Sequence, residues 1–157
     1  MKCIDDLITG IQNDPCNPEL YYERGVAFFN ERYYDESISD FLISESLGYD
    51  NPKLYLYLGK STYSIGNSAQ SLDYIERYVK LCPEDMEGKV LKGEMLVNLG
   101  RYEESLSEYK DAIFNNGLDP SILNEISIRL SSEGNFEAAR LFNPNVESKK
   151  RSLFGRG

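Results

Sequence analysis

The chain has 157 residues, of which 41% are hydrophobic and 27% charged, a balance typical of one folded domain and unlike that of a disordered chain. Its 26 acidic and 17 basic side chains give a net charge of −9, which argues against nucleic acid as the main ligand. Histidine is absent, the three cysteines are widely spaced, and no stretch approaches the ~20 apolar residues of a membrane span, so the sequence predicts no metal site, no cofactor and no membrane segment.

The first predicted element is an amphipathic helix that ends near Asn13. Its apolar residues recur at helical spacing: Ile4, Leu7, Ile8 and Ile11. The pattern is that of the second helix of a hairpin whose first helix is missing. We therefore expect residues 1–17 to cap whatever stack of helices follows.

From residue 18 onward the sequence repeats itself every 34 residues. A proline at the start of three of the four units, with Met86 at that position in the third unit, suits the first turn of a helix. A small residue in mid-helix allows a neighbouring helix to approach closely. A glycine seven residues later suits the left-handed conformation in which helices commonly end. The three series are Pro18, Pro52 and Pro120; Gly25, Gly59, Gly93 and Ser127; and Gly66, Gly100 and Gly134.

Each unit therefore predicts two antiparallel helices, of which the second is amphipathic. A single hairpin cannot bury its apolar face alone, so the hairpins must stack into a solenoid. The predicted domain covers residues 18–142. It contains three complete units and a shortened fourth, at 18–51, 52–85, 86–119 and 120–142.

The two ends of the stack offer surfaces for self-association. No capping helix is evident after the fourth hairpin, so Leu141 and Phe142 are expected to be partly exposed. The exposed side of the N-terminal helix is the other candidate. The sequence therefore allows a homodimer formed through the terminal helices.

The last predicted segment, 143–157, is a short, polar and basic tail that we expect to be flexible. Residues 149–151 are Lys-Lys-Arg. Such a run most often has no specific role, but a targeting or phosphorylation motif including Ser152 is an alternative. Docking of the tail on the acidic body of the same or a neighbouring molecule, with Leu153 and Phe154 as its apolar part, is another.

The repeated unit resembles the tetratricopeptide repeat family, whose period is 34 residues in a helix–turn–helix. The segments nearest to the family consensus are Gly93-x-x-Leu96, Leu99-Gly100-Arg101-Tyr102 and Tyr109-x-x-Ala112. The resemblance covers most of the chain. It implies an all-α, right-handed solenoid of antiparallel helical hairpins that acts as a protein–protein interaction module or scaffold.

Several residues depart from the family pattern. Arg24 and Lys92 occupy a position that is usually leucine, while Leu58 and Ile126 hold it in the other units. Lys89 replaces an aromatic residue. We expect the long basic stems to extend toward solvent from partly buried positions. Three serines replace alanine and are small enough to preserve the packing: Ser37, Ser71 and Ser105.

In this family the first helices of successive units line a concave groove that holds a partner peptide. The resemblance thus implies a groove of aromatic, apolar and charged residues, in which amides bond a peptide backbone and rings give flat contact area. Packing between helices explains Phe29 and Tyr63 equally well. The candidate groove residues are Tyr22, Val26, Phe29, Asn30, Leu56, Tyr57, Lys60, Tyr63, Val90, Glu94, Val97 and Asn98.

Two family subtypes give sharper expectations. Chaperone-binding members clamp a C-terminal carboxylate with lysine, arginine and asparagine. None of these residues stands at the matching positions here, so such a clamp is not expected: Tyr22, Val26, Tyr57, Glu87 and Leu91. Small acidic chaperones of bacterial injection systems resemble the chain in size, acidity and repeat number. A chaperone for a secreted or unassembled partner is therefore the alternative function.

An enzyme is the least favoured class. There is no histidine to act as a general base, no phosphate-binding loop and no G-x-S-x-G motif. The acidic pairs at 35–36 and 103–104 are explained by helix starts, where the dipole favours negative charge. Asp5 and Asp6 interrupt any signal-like apolar run, and the cysteine number is odd. The sequence thus predicts a cytoplasmic, non-catalytic protein whose partner is a protein or peptide.

Overall fold

The computed structural model describes residues 3–146, so the basic run at 149–151 and the rest of the predicted tail beyond residue 146 lie outside the described residues. Between residues 3 and 146 the chain forms nine α-helices and no strand. Helix α1 (Ile4–Asn13) precedes four antiparallel hairpins. These are α2 (Pro18–Asn30) with α3 (Tyr34–Ser46), α4 (Lys53–Ser64) with α5 (Ser68–Leu81), α6 (Met86–Asn98) with α7 (Tyr102–Asn116), and α8 (Ser121–Ser132) with α9 (Phe136–Phe142).

Helix α1 ends where the sequence predicted, and it packs on α2. Leu7 is 1% exposed, and a Cβ added at Gly10 would lie 3.3 Å from the side chain of Leu20. Ile8 on the same helix remains 36% exposed. The roles of α1 as a cap or as part of a homodimer interface stay predictions.

The turn after each first helix requires a left-handed residue. Gly66, Gly100 and Gly134 have φ values of 86°, 73° and 85°, which confirms the expected helix ends. In the first hairpin the same position is held by Arg32, whose φ is 65°. Arg32 thus adopts a conformation that costs an L-residue with a side chain free energy, whereas glycine adopts it readily.

Replacing Arg32 with glycine is therefore expected to raise the free energy of unfolding by about 1 kcal/mol. The side chain is exposed, so no packing is lost. The opposite change at the equivalent position, Gly66→Ala, meets no neighbouring atom within 4 Å and should cost a similar amount through its φ alone. Urea unfolding measures the change in the free energy of unfolding for each variant, which should be positive for Arg32→Gly and negative for Gly66→Ala. Destabilisation by Arg32→Gly would contradict the explanation.

The small mid-helix residues allow close helix packing, as predicted. A Cβ at Gly59 would lie only 2.4 Å from the side chain of Ile75, which is completely buried. The first and third units show the same approach. Because protein interiors are already close-packed, no larger residue fits there without displacing the facing side chain.

The serines at family alanine positions do more than preserve the packing. The hydroxyl of Ser71 donates to the carbonyl oxygen of Gly59 at 2.7 Å, and the third unit has the same bond. In the fourth unit the direction is reversed, since Ser127 on the first helix donates to the carbonyl of Ala139 on the second at 2.8 Å. Each bond joins the two helices of one hairpin.

The basic residues at leucine positions do not extend into solvent, which corrects the sequence prediction. Arg24 forms two hydrogen bonds of 2.7 Å to the carboxylate of Asp40 on the facing helix. Lys92 lies 2.6 Å from Glu108, and the acid is again sixteen residues further along the chain. Asp40 is only 3% exposed. Each of these basic residues is thus one half of an ion pair between the two helices of its hairpin.

The second and fourth units place apolar residues at the same two positions. Leu58 and Tyr74 belong to one hydrophobic cluster, and Ile126 and Phe142 belong to another. Phe142 is 5% exposed, so the expectation that it is accessible at the end of the stack is wrong, whereas Leu141 is 39% exposed. The pair of positions therefore alternates between an ion pair and an apolar pair along the solenoid.

Lys89 is also paired. Its ammonium group lies 2.5 Å from the carboxylate of Asp111 and 2.9 Å from the side-chain oxygen of Asn116. The residue is 8% exposed. A lysine can replace an aromatic residue here because its stem is buried and its charge is neutralised by α7.

Candidate binding groove

The first part of the candidate groove is a cluster of aromatic rings on α2 and α4. Tyr22 lies with its ring centroid 4.7 Å from Tyr49 and 6.2 Å from Tyr57, and Phe29 lies 5.4 Å from Tyr57. Beneath them Phe41 stacks on Tyr57 at 5.7 Å. Burial raises the pKa of Tyr22 to about 12, so its hydroxyl stays neutral. The groove rings pack between helices and also remain partly exposed.

The middle of the candidate groove is a set of polar contacts that joins α4 to α6. The amide of Asn98 donates to the hydroxyl of Tyr63 at 2.6 Å, and that hydroxyl lies 3.4 Å from a carboxylate oxygen of Glu94. Burial, and then the charge of Glu94, raises the pKa of Tyr63. Lys60 forms an ion pair with Glu87 across the same two helices. These contacts fix the polar groups in place at the surface.

The structure places two candidate residues outside any accessible surface. Leu56 is 3% exposed and Val97 is 5% exposed, because both side chains point into the hydrophobic clusters between helices. The prediction that these two residues line the groove is therefore wrong, and both belong to the core. Val26 and Val90 are half-buried and Asn30 is exposed.

The last part of the candidate groove is a pocket of about 290 Å³ between α6 and α8. Its most buried residue is Tyr109, which is 2% exposed and whose hydroxyl donates weakly to the carbonyl of Val90 at 3.4 Å. Burial, and then the charge of Glu94, raises the pKa of Tyr109. We name this cavity the α6–α8 pocket, and its lining residues are Val90, Glu94, Tyr109, Ile122, Glu125, Ile126 and Arg129.

The charged residues of the α6–α8 pocket are only loosely paired. Arg129 lies 3.7 Å from Glu94, and the contact uses the same carboxylate oxygen that faces Tyr63. Glu125 forms no ion pair with any residue between 3 and 146 and is exposed. The pocket thus combines aliphatic walls with polar groups that can bond a ligand.

The sequence candidates for the groove did not include Tyr109, Ile122 or Arg129. Tyr109 belongs to a second helix, and it reaches the pocket because Gly93 leaves no side chain in the way. A Cβ at Gly93 would lie 2.8 Å from the ring. Gly59 and Ile75 are sixteen residues apart, and so are Gly93 and Tyr109. That spacing is the sequence feature that could have predicted the contact of Tyr109 with Gly93.

Nowhere in residues 3–146 do three or more histidine, cysteine, aspartate or glutamate side chains form a group that could hold a metal ion. None of the helices described has the length and apolar character needed to cross a membrane. Cys3, Cys16 and Cys82 are free thiols.

No protein-family model matches the chain, and no curated protein sequence matches it. Several solved structures are similar to the chain. The protein YrrB, described as "a TPR protein with an unusual peptide-binding site", is 19% identical with a TM-score of 0.74, over 90% of this chain and 77% of that one. MamA from Desulfovibrio magneticus RS-1 is 16% identical with a TM-score of 0.75, over 96% of this chain and 85% of that one.

These likenesses establish the fold. The chain is an all-α solenoid of antiparallel helical hairpins of the tetratricopeptide type, as its 34-residue period predicted. A second MamA structure gives the same answer, with 16% identity and a TM-score of 0.75 over 88% of this chain and 81% of that one.

Proposed function

We propose that this protein is a non-catalytic interaction module that holds a peptide or protein segment in the concave groove formed by α2, α4, α6 and α8. One observation carries the proposal: partly exposed rings, fixed polar groups and the α6–α8 pocket follow one another along successive first helices. Rigid aromatic residues give contact area at low entropic cost, and a pocket with convergent polar groups holds one side chain. The peptide-binding site of YrrB, a protein of the same fold, supports this assignment.

The partner is proposed to be a polypeptide of the cytoplasm. The three free thiols are consistent with a reducing compartment. The groove mixes charges of both signs, so polar contacts would set the register of the partner while apolar side chains supply most of the affinity. Where buried area is similar, the number of well-filled pockets decides the affinity.

Substituting Asn98 with alanine is expected to weaken partner binding about tenfold, which corresponds to ~1.4 kcal/mol. The side chain is exposed, and its position beside Tyr63 at the centre of the groove allows it to bond a peptide backbone. Affinity purification from the native host identifies the partner, and isothermal titration calorimetry then measures its dissociation constant with wild type and variant.

Asn115→Ala is the matched control. Asn115 is also exposed and also donates one hydrogen bond, to Asp111 at 2.5 Å, but it lies on the second helix α7. Both variants should keep the wild-type melting temperature. Equal affinities of the two variants for a partner that binds wild type would show that the partner does not use the groove.

A further inference from the structure

We propose that the C-terminal segment 147–157 binds the α6–α8 pocket of its own molecule. The inference goes beyond the proposed function, since it supplies the groove with a ligand from the same chain. A partner peptide would then have to displace this segment. Three observations carry the proposal: where the described chain ends, how far the segment reaches, and the chemistry of the two surfaces.

The described chain ends beside the pocket. After α9, the amide of Asn143 donates to the side-chain oxygen of Asn124 on α8 at 2.9 Å. Asn124 immediately precedes Glu125, which lines the pocket. Val146, the last described residue, packs against the hydrophobic cluster that includes the pocket residues Tyr109 and Ile126. The segment therefore starts next to α8, the helix that forms one wall of the pocket.

The segment is long enough to reach the pocket. An extended chain spans at most ~3.3–3.6 Å per residue, so the five residues 147–151 carry the chain up to about 17 Å beyond Val146. A helix with its side chains is roughly 10–12 Å across. The basic run can thus cross α8 and lie over the pocket, and Leu153 and Phe154 can follow it there.

The chemistry of the two surfaces is complementary. Residues 147–157 carry four basic side chains and one acidic side chain, whereas the whole chain has a net charge of −9. At the pocket, Glu125 forms no ion pair within the described chain, and both contacts of Glu94, to Tyr63 and Arg129, are long at 3.4 and 3.7 Å. Both carboxylates are available to a closer cation. The aliphatic walls match an apolar side chain such as Leu153 or Phe154.

The test compares methyl NMR spectra of the full chain with those of a tail variant, Lys149→Gln combined with Lys150→Gln. The methyl signals of Val90, Ile122 and Ile126 are expected to shift, while those of buried Ile75 on α5 stay in place. A synthetic peptide of residues 147–157, added to the tail variant, should move the signals back toward their wild-type positions. Glu125→Gln should reduce the effect of that peptide.

The matched control is the same change at two exposed lysines of the second helices, Lys80→Gln combined with Lys110→Gln, which should leave the pocket signals unchanged. Equal spectra of the wild type and the tail variant would overturn the proposal. Pocket shifts that depend on protein concentration would overturn it too, since the tail would then bind a neighbouring molecule. No partner is present in these measurements, so their failure leaves the proposed function untouched.

Discussion

Replacing Arg24 with leucine is expected to lower the free energy of unfolding by roughly 3 kcal/mol, although leucine is the usual family residue at this position. Arg24 holds both carboxylate oxygens of Asp40 at 2.7 Å, and the side chain of Asp40 is 4% exposed. Leucine would leave that carboxylate buried without a counter-ion or hydrogen bonds. Removing one partner of a buried pair costs far more than the pair contributes, because the remaining charge stays desolvated.

Changing both partners separates this explanation from a simple loss of packing. The double variant Arg24→Leu with Asp40→Tyr copies the apolar pair Leu58 and Tyr74 of the second unit, and it should recover most of the lost stability. Urea unfolding followed by far-ultraviolet circular dichroism measures the difference. A double variant as unstable as the single one would contradict the idea that the two positions form one interchangeable unit.

Arg101→Leu provides a matched comparison. Arg101 also bonds both oxygens of one carboxylate, that of Glu104, at 2.7 and 2.6 Å. The two side chains are 43% and 58% exposed, so water replaces the lost partner. The change should have little effect on stability, since exposed ion pairs contribute little. The comparison isolates burial as the cause of the loss at Arg24.

The period of the sequence predicted the hairpins correctly because glycine at a left-handed turn or a close helix contact has few substitutes. It did not predict the ion pair of Arg24 with Asp40. A family consensus describes each position separately, whereas an ion pair depends on the residues at two positions. Nothing in the local sequence distinguishes Asp40 from other acidic residues. Its role as the partner of Arg24 becomes evident only when α3 is placed against α2. The alternation of ion pair and apolar pair becomes visible only when residues sixteen apart are compared in all units.

The candidate groove was predicted less well than the fold, and the reason is geometric. A helix presents a given residue to the groove or to the core according to a rotation of a few tens of degrees, which period alone does not fix. Leu56 and Val97 therefore proved to be buried at 3% and 5% exposure. Tyr109 was missed because it reaches the pocket from a second helix across Gly93.

Phe41→Ala is expected to destabilise the protein by about 3–5 kcal/mol, the range for removing a fully buried phenylalanine ring. Phe41 on α3 is 0% exposed, and its ring fills the space that Gly25 leaves, where a Cβ would lie 2.8 Å away. The same ring supports the candidate groove, since Tyr22 and Tyr57 each lie 5.7 Å from it. The cavity would thus form directly beneath the aromatic part of the groove.

Phe114→Ala is the control, because it removes the same atoms from a side chain that is 88% exposed. Its free energy of unfolding should be close to that of wild type.

If Phe41→Ala remains folded at low temperature, Tyr22 loses part of its burial, and the pKa of Tyr22 should fall from about 12 toward the ordinary value of 10.0. Ultraviolet titration of the tyrosines measures this change, and equal stabilities of the two variants would show that Phe41 does not support the aromatic cluster. A large loss at Phe41 with no loss at Phe114 would tie the stability of the first hairpin to the ring that supports the groove.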